Sequence, residues 1–187
     1  MHVRDILTEQ PTDFSIIQTD CAQFLCEVDK HFTYRMLPHS YADVQRVKIR
    51  QQKHTDIVAR VFNEAFSDVH NIRQRSMIAQ TTVPVVTETH EPFYVFPING
   101  YKFLYSKEVQ NSSVDYKQVI DVMFERFDSE ETAAEILTDV VKYSYTSERL
   151  IEGIQVGAEI IFYNIPYYYA VRCSAYPDHK QLISYLY

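Results

Sequence analysis

Apolar residues recur along this chain in two rhythms, one helical and one extended. Ile57, Val58, Val61, Phe62, Ala65, Phe66 and Val69 fall on one stripe at helical spacing and predict a helix over Thr55–His70. Tyr116, Val119, Ile120, Met123, Phe124 and Phe127 predict a second over Val114–Phe127. A third follows over Glu130–Tyr143, with Ser129 placed to cap it and Glu130 and Glu131 in the first turn, where the helix dipole favours acids. Cys21, Phe24, Leu25 and Val28 predict a short helix over Asp20–Asp29 with Asp20 as its cap, and Leu150–Ile154 a shorter one.

The extended rhythm is clearest in Arg46–Arg50, where Val47 and Ile49 alternate with Arg46, Lys48 and Arg50. Ser76–Thr82, Phe93–Phe96 and Tyr101–Tyr105 read as further strands, the last two flanking an Asn99-Gly100 pair suited to a tight turn. Gly157–Arg172 reads as two apolar strands around an Asn164–Pro166 turn. Residues 1–19 read as an arm or cap, 30–42 and Val83–Glu91 as loops, and Gln181–Tyr187 as a docked strand or turn. No repeat or linker divides the chain. The expectation is one α+β domain over residues 1–187, a mostly antiparallel sheet with helices packed on it.

Composition narrows the function more than it changes the fold. At 187 residues, 46% hydrophobic and 23% charged, the chain has an ordinary globular make-up. A net charge of −7 argues against broad nucleic-acid binding. Only 3 glycines exist, so neither a G-x-G-x-x-G dinucleotide loop nor a P-loop can be present. The 3 cysteines form no C-x-x-C pair, and none of the 7 histidines has metal-ligand spacing, so no metal is expected. The charged N-terminus and the lack of a long apolar run predict a protein of the cytoplasm with no membrane partner. The 15 tyrosines, with Tyr167, Tyr168 and Tyr169 in one predicted strand, suggest an interaction surface, because consecutive strand residues face opposite sides. A local patch of Arg46, Lys48, Arg50, Arg73 and Arg75 gives a third functional reading, a local basic-patch binder of nucleic acid.

Two acidic positions invite chemistry. Asp115-Tyr116-Lys117 has the D-x-K spacing of some metal-dependent nucleases, but it opens a predicted helix where that chemistry needs a strand. Glu159 stands at the entrance to an apolar strand, where an unpaired charge is costly to bury.

The order basic strand, helix, hydroxyl-bearing strand, apolar strand and glutamate-led strand resembles that of the ADP-ribosyltransferase family of the Arg–Ser–Glu type. The resemblance implies that Arg50 holds the phosphate and ribose of NAD, that Thr81 or Thr82 supports that pocket, and that Glu159 is catalytic, with NAD as the substrate. It implies modification of a host macromolecule as the activity. Two positions depart from the family: Arg50 is followed by Gln51 rather than glycine, and Gly157 stands two residues before Glu159, where many members carry Glu or Gln. The second departure favours NAD hydrolysis over transfer to an arginine. The run Phe96–Ser106 is similar to small proteins of large tailed bacteriophages, which implies host cytoplasm or the virion as location and a host or virion protein as partner.

Overall fold

Among the described residues every strand pairs antiparallel, yet the strands do not form one sheet. The computed structural model describes residues 14–49, 56–69, 71–127 and 129–187. One sheet has the order β1-β4-β7-β2, formed by Thr33–Pro38 (β1), Val44–Lys48 (β2), His90–Pro97 (β4) and Tyr167–Arg172 (β7). The other has the order β3-β6-β5, formed by Met77–Ala79 (β3), Lys102–Tyr105 (β5) and Ile160–Tyr163 (β6). Seven helices surround them among the described residues: Phe14–Asp20 (α1), Ala22–Val28 (α2), Ile57–Ala65 (α3), Ser112–Phe127 (α4), Glu130–Ser144 (α5), Leu150–Gln155 (α6) and His179–Leu186 (α7). The α+β architecture with antiparallel pairing is as expected.

The three-stranded sheet has a core on each face. Ile160 and Phe162 join a core shared with the four-stranded sheet and with α1, α2, α6 and α7. Ile161, between them, joins a second core with Val58, Val61 and Phe62 of α3, Tyr116 and Ile120 of α4, and Leu137 and Val141 of α5. This is why Ile160-Ile161-Phe162 is apolar without alternation: both faces of β6 are covered. Helix α3 starts where the Asp56 carboxylate accepts from the Ala59 N–H at 2.7 Å, and α5 where the Ser129 hydroxyl accepts from the Thr132 N–H at 3.2 Å.

Four expectations are corrected. Residues 33–38, expected as loop, form β1: Thr33, Tyr34 and Leu37 are buried and the strand pairs with β4 along its length, ending at Pro38. Residues 14–19, expected within an arm, lie in α1, which is why Asp20 ends one helix instead of capping the next. Its carboxylate accepts from the Tyr169 hydroxyl at 2.7 Å. The C-terminus is helical, with Asp178 accepting from the Lys180 N–H and Leu182 and Leu186 buried. His90 and Glu91 open β4 rather than ending a loop.

Both predicted turns exist, but neither joins a hairpin. The turn at Asn99-Gly100 carries the chain from β4 in one sheet to β5 in the other, and the turn at Asn164–Pro166 carries it back from β6 to β7. Asn99 is held by helices, not by a partner strand. Its side-chain oxygen accepts from the Gln23 N–H at 2.9 Å and its amide donates to the Thr19 carbonyl at 2.9 Å. Among the described residues no helix is long and apolar enough to cross a membrane.

Candidate functional site

Glu159 is a buried carboxylate with an assigned place. Helix α6 ends at Gln155 and the chain turns at Gly157, whose φ of +81° is a left-handed conformation that glycine adopts without strain. The chain then extends, the Glu159 N–H donates to the Val109 carbonyl at 3.1 Å, and the side chain turns toward the start of α4. Only 5% of Glu159 is exposed. Its Oε1 accepts from the Ser112 hydroxyl and its Oε2 accepts from the Ser112 N–H at 3.3 Å. Ser112 is the first residue of α4, so the carboxylate also meets the positive end of a helix dipole.

Behind Ser112 stands Arg73. Its Nη1 donates to the Ser112 hydroxyl at 2.5 Å and its Nη2 to the Ser113 hydroxyl at 2.8 Å. The guanidinium lies 4.9 Å from the centre of the buried Phe62 ring, and only 7% of Arg73 is exposed. Ser112 therefore receives from a cation and gives to an anion. Burial pushes the Glu159 carboxyl up, the Ser112 hydrogen bonds and the Arg73 charge pull it down, and burial prevails.

The hydroxyl strand has two further attachments. Thr81 donates to the carbonyl of Ala158, next to Glu159, at 3.0 Å. On its other side the backbones of Tyr34 and Gln80 exchange hydrogen bonds, and Arg35 Nη1 donates to the Ile78 carbonyl at 3.3 Å. The arginine placed beside β3 is thus Arg35, which lay in an expected loop. Arg50 lies outside the described residues. Thr82 is exposed in the segment after β3.

Arg35 lines a cavity of about 260 Å³ together with Lys48, His90, Ser76, Tyr41 and Tyr168. The Ser76 hydroxyl is buried there without a hydrogen-bond partner. A cavity with a guanidinium, an ammonium, an imidazole and a free hydroxyl suits an anion such as a diphosphate. Glu159 and Thr81 do not line it.

A second polar cluster is structural. Glu91 accepts from Ser174 at 2.8 Å, is bonded by Arg172, and meets His39 Nδ1 at 2.8 Å. Arg172 also donates to Asp43 at 2.7 Å and to the His39 carbonyl at 3.1 Å, so it ties the β1–β2 connection to β4 and β7. Burial alone raises the Glu91 carboxyl, but the hydrogen bonds from Ser174 and His39 and the Arg172 charge outweigh it and hold it low. The Thr87 carbonyl and then Glu91 hold the His39 imidazole above its ordinary value.

The remaining sequence candidates divide. Asp115 sits on a helix as expected and accepts from the N–H groups of Gln110 and Asn111 at 3.2 and 3.0 Å. Arg73 is buried away from the basic strand, and Arg75 lines a different cavity with Lys102. Arg46 is exposed and lies 5.0 Å from the Tyr167 ring. The strand of tyrosines is not an edge: β7 is flanked by β4 and β2, and Tyr168 and Tyr169 are buried. Of the cysteines Cys21 is buried, Cys173 half-buried and Cys26 exposed.

Sequence reasoning missed Arg35 and the pairing of Ser112 with Glu159, and it grouped Arg73 with a basic patch, whereas its guanidinium bonds to Ser112 and Ser113. The available signals were the aromatic–arginine pair Tyr34-Arg35 and the Ser112-Ser113 doublet at a helix start. Among the described residues no group of three or more His, Cys, Asp or Glu is placed to hold a metal ion. No known protein family, curated protein or solved structure matches this chain.

Proposed function

We propose that this protein takes NAD as a substrate in the manner of the ADP-ribosyltransferase family, with Arg35 in the place that the sequence pattern suggested for Arg50. The observation that carries the reading is the arrangement around β3. Arg35 bonds to the middle of the strand from one neighbour, and Thr81, just past its end, bonds beside Glu159 on the other. An arginine and a threonine, far apart in sequence, thus attach at or next to one short strand, and the threonine's acceptor is the neighbour of Glu159, which lies outside the cavity that Arg35 lines.

Arg35, Lys48 and His90 would meet the diphosphate, with the unpartnered Ser76 hydroxyl as a further donor. Glu159 would face the positive charge that develops on the ribose as the bond to nicotinamide breaks and its electron pair leaves with nicotinamide. Water completes the reaction, giving ADP-ribose, nicotinamide and a proton. In the structure the Glu159 carboxylate is held by Ser112, so activity requires it to exchange that partner for the substrate.

The test is nicotinamide release by the purified full-length protein, with and without cell lysate as a source of macromolecular acceptor. Release that disappears in Glu159→Gln and needs more NAD in Arg35→Gln supports the reading. Absence of release from the unmodified protein in both conditions, or an unchanged rate in Glu159→Gln, overturns it.

A further inference from the structure

Helix α4 carries an apolar face that continues past the core it serves. Ser112, Tyr116 and Ile120, spaced four apart, are buried. The next residues on that face are Met123, Phe124 and Phe127, following the same helical periodicity. Met123 is only half-buried, while Phe124 is 47% and Phe127 43% exposed. Two exposed phenylalanines at the end of one buried stripe are not scattered surface residues.

Beside them lies a groove of about 480 Å³ between α3 and α4, with Ile57, Val58, Ile120 and Phe124 contributing its apolar lining. The volume is in the ~300–1,000 Å³ range of binding clefts. Its charged lining is mainly acidic: Asp56, Asp121 and Glu130 against Lys117. The Asp56 carboxylate is engaged in capping α3, whereas Asp121 and Glu130 form no ion pair among the described residues.

We propose that this groove docks a short amphipathic segment of another protein, with large apolar side chains entering beside Phe124 and Lys or Arg residues meeting Asp121 and Glu130. This is the helix-in-groove mode, in which apolar anchors supply affinity and rim charges supply selectivity. The charge distribution selects against a second copy of this chain. A two-fold pairing would bring two identical acidic rims together, and like charges in register oppose association. The inference is independent of NAD chemistry, since neither Arg35 nor Glu159 lines the groove.

The test uses the full-length protein and two fluorescein-labelled amphipathic helical peptides, one of leucine and lysine, the other of leucine and glutamate, followed by fluorescence anisotropy. The lysine peptide is expected to bind saturably. Its affinity should fall about tenfold or more in Phe124→Asp, the scale of an interface anchor, and also in the double variant Asp121→Lys, Glu130→Lys. It should also weaken with added salt, and the glutamate peptide should not bind. Unaltered thermal stability of Phe124→Asp shows that the loss is local, and Phe124→Ser, with no added charge, serves if that variant unfolds. Failure of the lysine peptide to bind, equal binding of the glutamate peptide, or equal affinity for every variant overturns the proposal. A dimer in sedimentation that Phe124→Asp dissolves also overturns it, by making a second copy the occupant.

Discussion

Replacing Glu159 by glutamine and by alanine should give very different proteins, although both changes remove the same charge. The carboxylate is 5% exposed and accepts from both the hydroxyl and the N–H of Ser112. Arg73 approaches through that same hydroxyl. Glutamine keeps an oxygen for Ser112 and relieves the burial of a charge, two effects that oppose each other. Glutamine, like alanine, leaves Arg73 without its counter-charge, but it keeps an acceptor for Ser112 and sheds the burial cost of the carboxylate, so Glu159→Gln should be the milder change at pH 7. Alanine in addition leaves the buried Ser112 N–H and hydroxyl without their acceptor. Breaking a buried pair from one side costs about 3–5 kcal/mol. For a chain of this size that is roughly 6–20 °C in melting temperature. Urea and thermal unfolding read by far-UV circular dichroism would measure both. The pH dependence adds a sign. The folded-state pKa of Glu159 is raised above its unfolded value, so its contribution is fully present below the unfolded pKa and is lost as pH rises through the folded one. The parent should therefore lose stability relative to Glu159→Gln as pH rises above the ordinary carboxylate range. If alanine is no worse than glutamine, or if glutamine leaves the pH dependence unchanged, Glu159 is not the buried, charge-bearing partner of α4 described above.

Two further outcomes can be checked by simple measurements. A Cβ on Gly153 would stand 2.7 Å from Cγ of Tyr105, whose ring is buried and whose hydroxyl donates to the Glu148 carbonyl at 3.0 Å. Overpacking of this kind costs about 1–3 kcal/mol and alanine regains about 1 kcal/mol of helix propensity, so Gly153→Ala should destabilise by up to about 2 kcal/mol in urea unfolding. The His39–Glu91 contact should have a pH window. The raised His39 contributes stability below its unfolded pKa and loses it as pH rises through the folded value; the lowered Glu91 contributes above its unfolded pKa and loses it as pH falls through the folded value. An NMR titration should show His39 titrating above ~6.5, the ordinary histidine value, and returning toward it in Glu91→Gln.

Periodicity was enough to locate α3, α4 and α5, because each carries a long apolar stripe, and the Ser129 cap marked the start of α5. The same reasoning located β2, where strict alternation leaves Arg46 and Lys48 exposed and Val47 half-buried. It also singled out Glu159, since a carboxylate in front of Ile160-Ile161-Phe162 is conspicuous in any context. These are local signals, carried by residues within a turn or two of each other.

Which residues meet Glu159 was decided by the tertiary structure. Ser112 is 47 residues away and Arg73 is 39 from Ser112, and no spacing rule links them. They meet because α4 begins beside the start of β6, and that follows from the division of the strands between two sheets. A turn such as Asn99-Gly100 specifies a reversal, but it does not specify which strand lies on its far side. That choice is made by the burial of both faces of β6, by Asn99 bonding to the α1–α2 junction, and by the pairing of β1 with β4, where Pro38 and the mixed pattern of 33–38 concealed a strand. The chain's own sequence determined which segments are helical, which are extended, and where a charge sits among apolar neighbours. Long-range packing decided what that charge is paired with, because side chains distant in sequence interact only once the layers between them have formed.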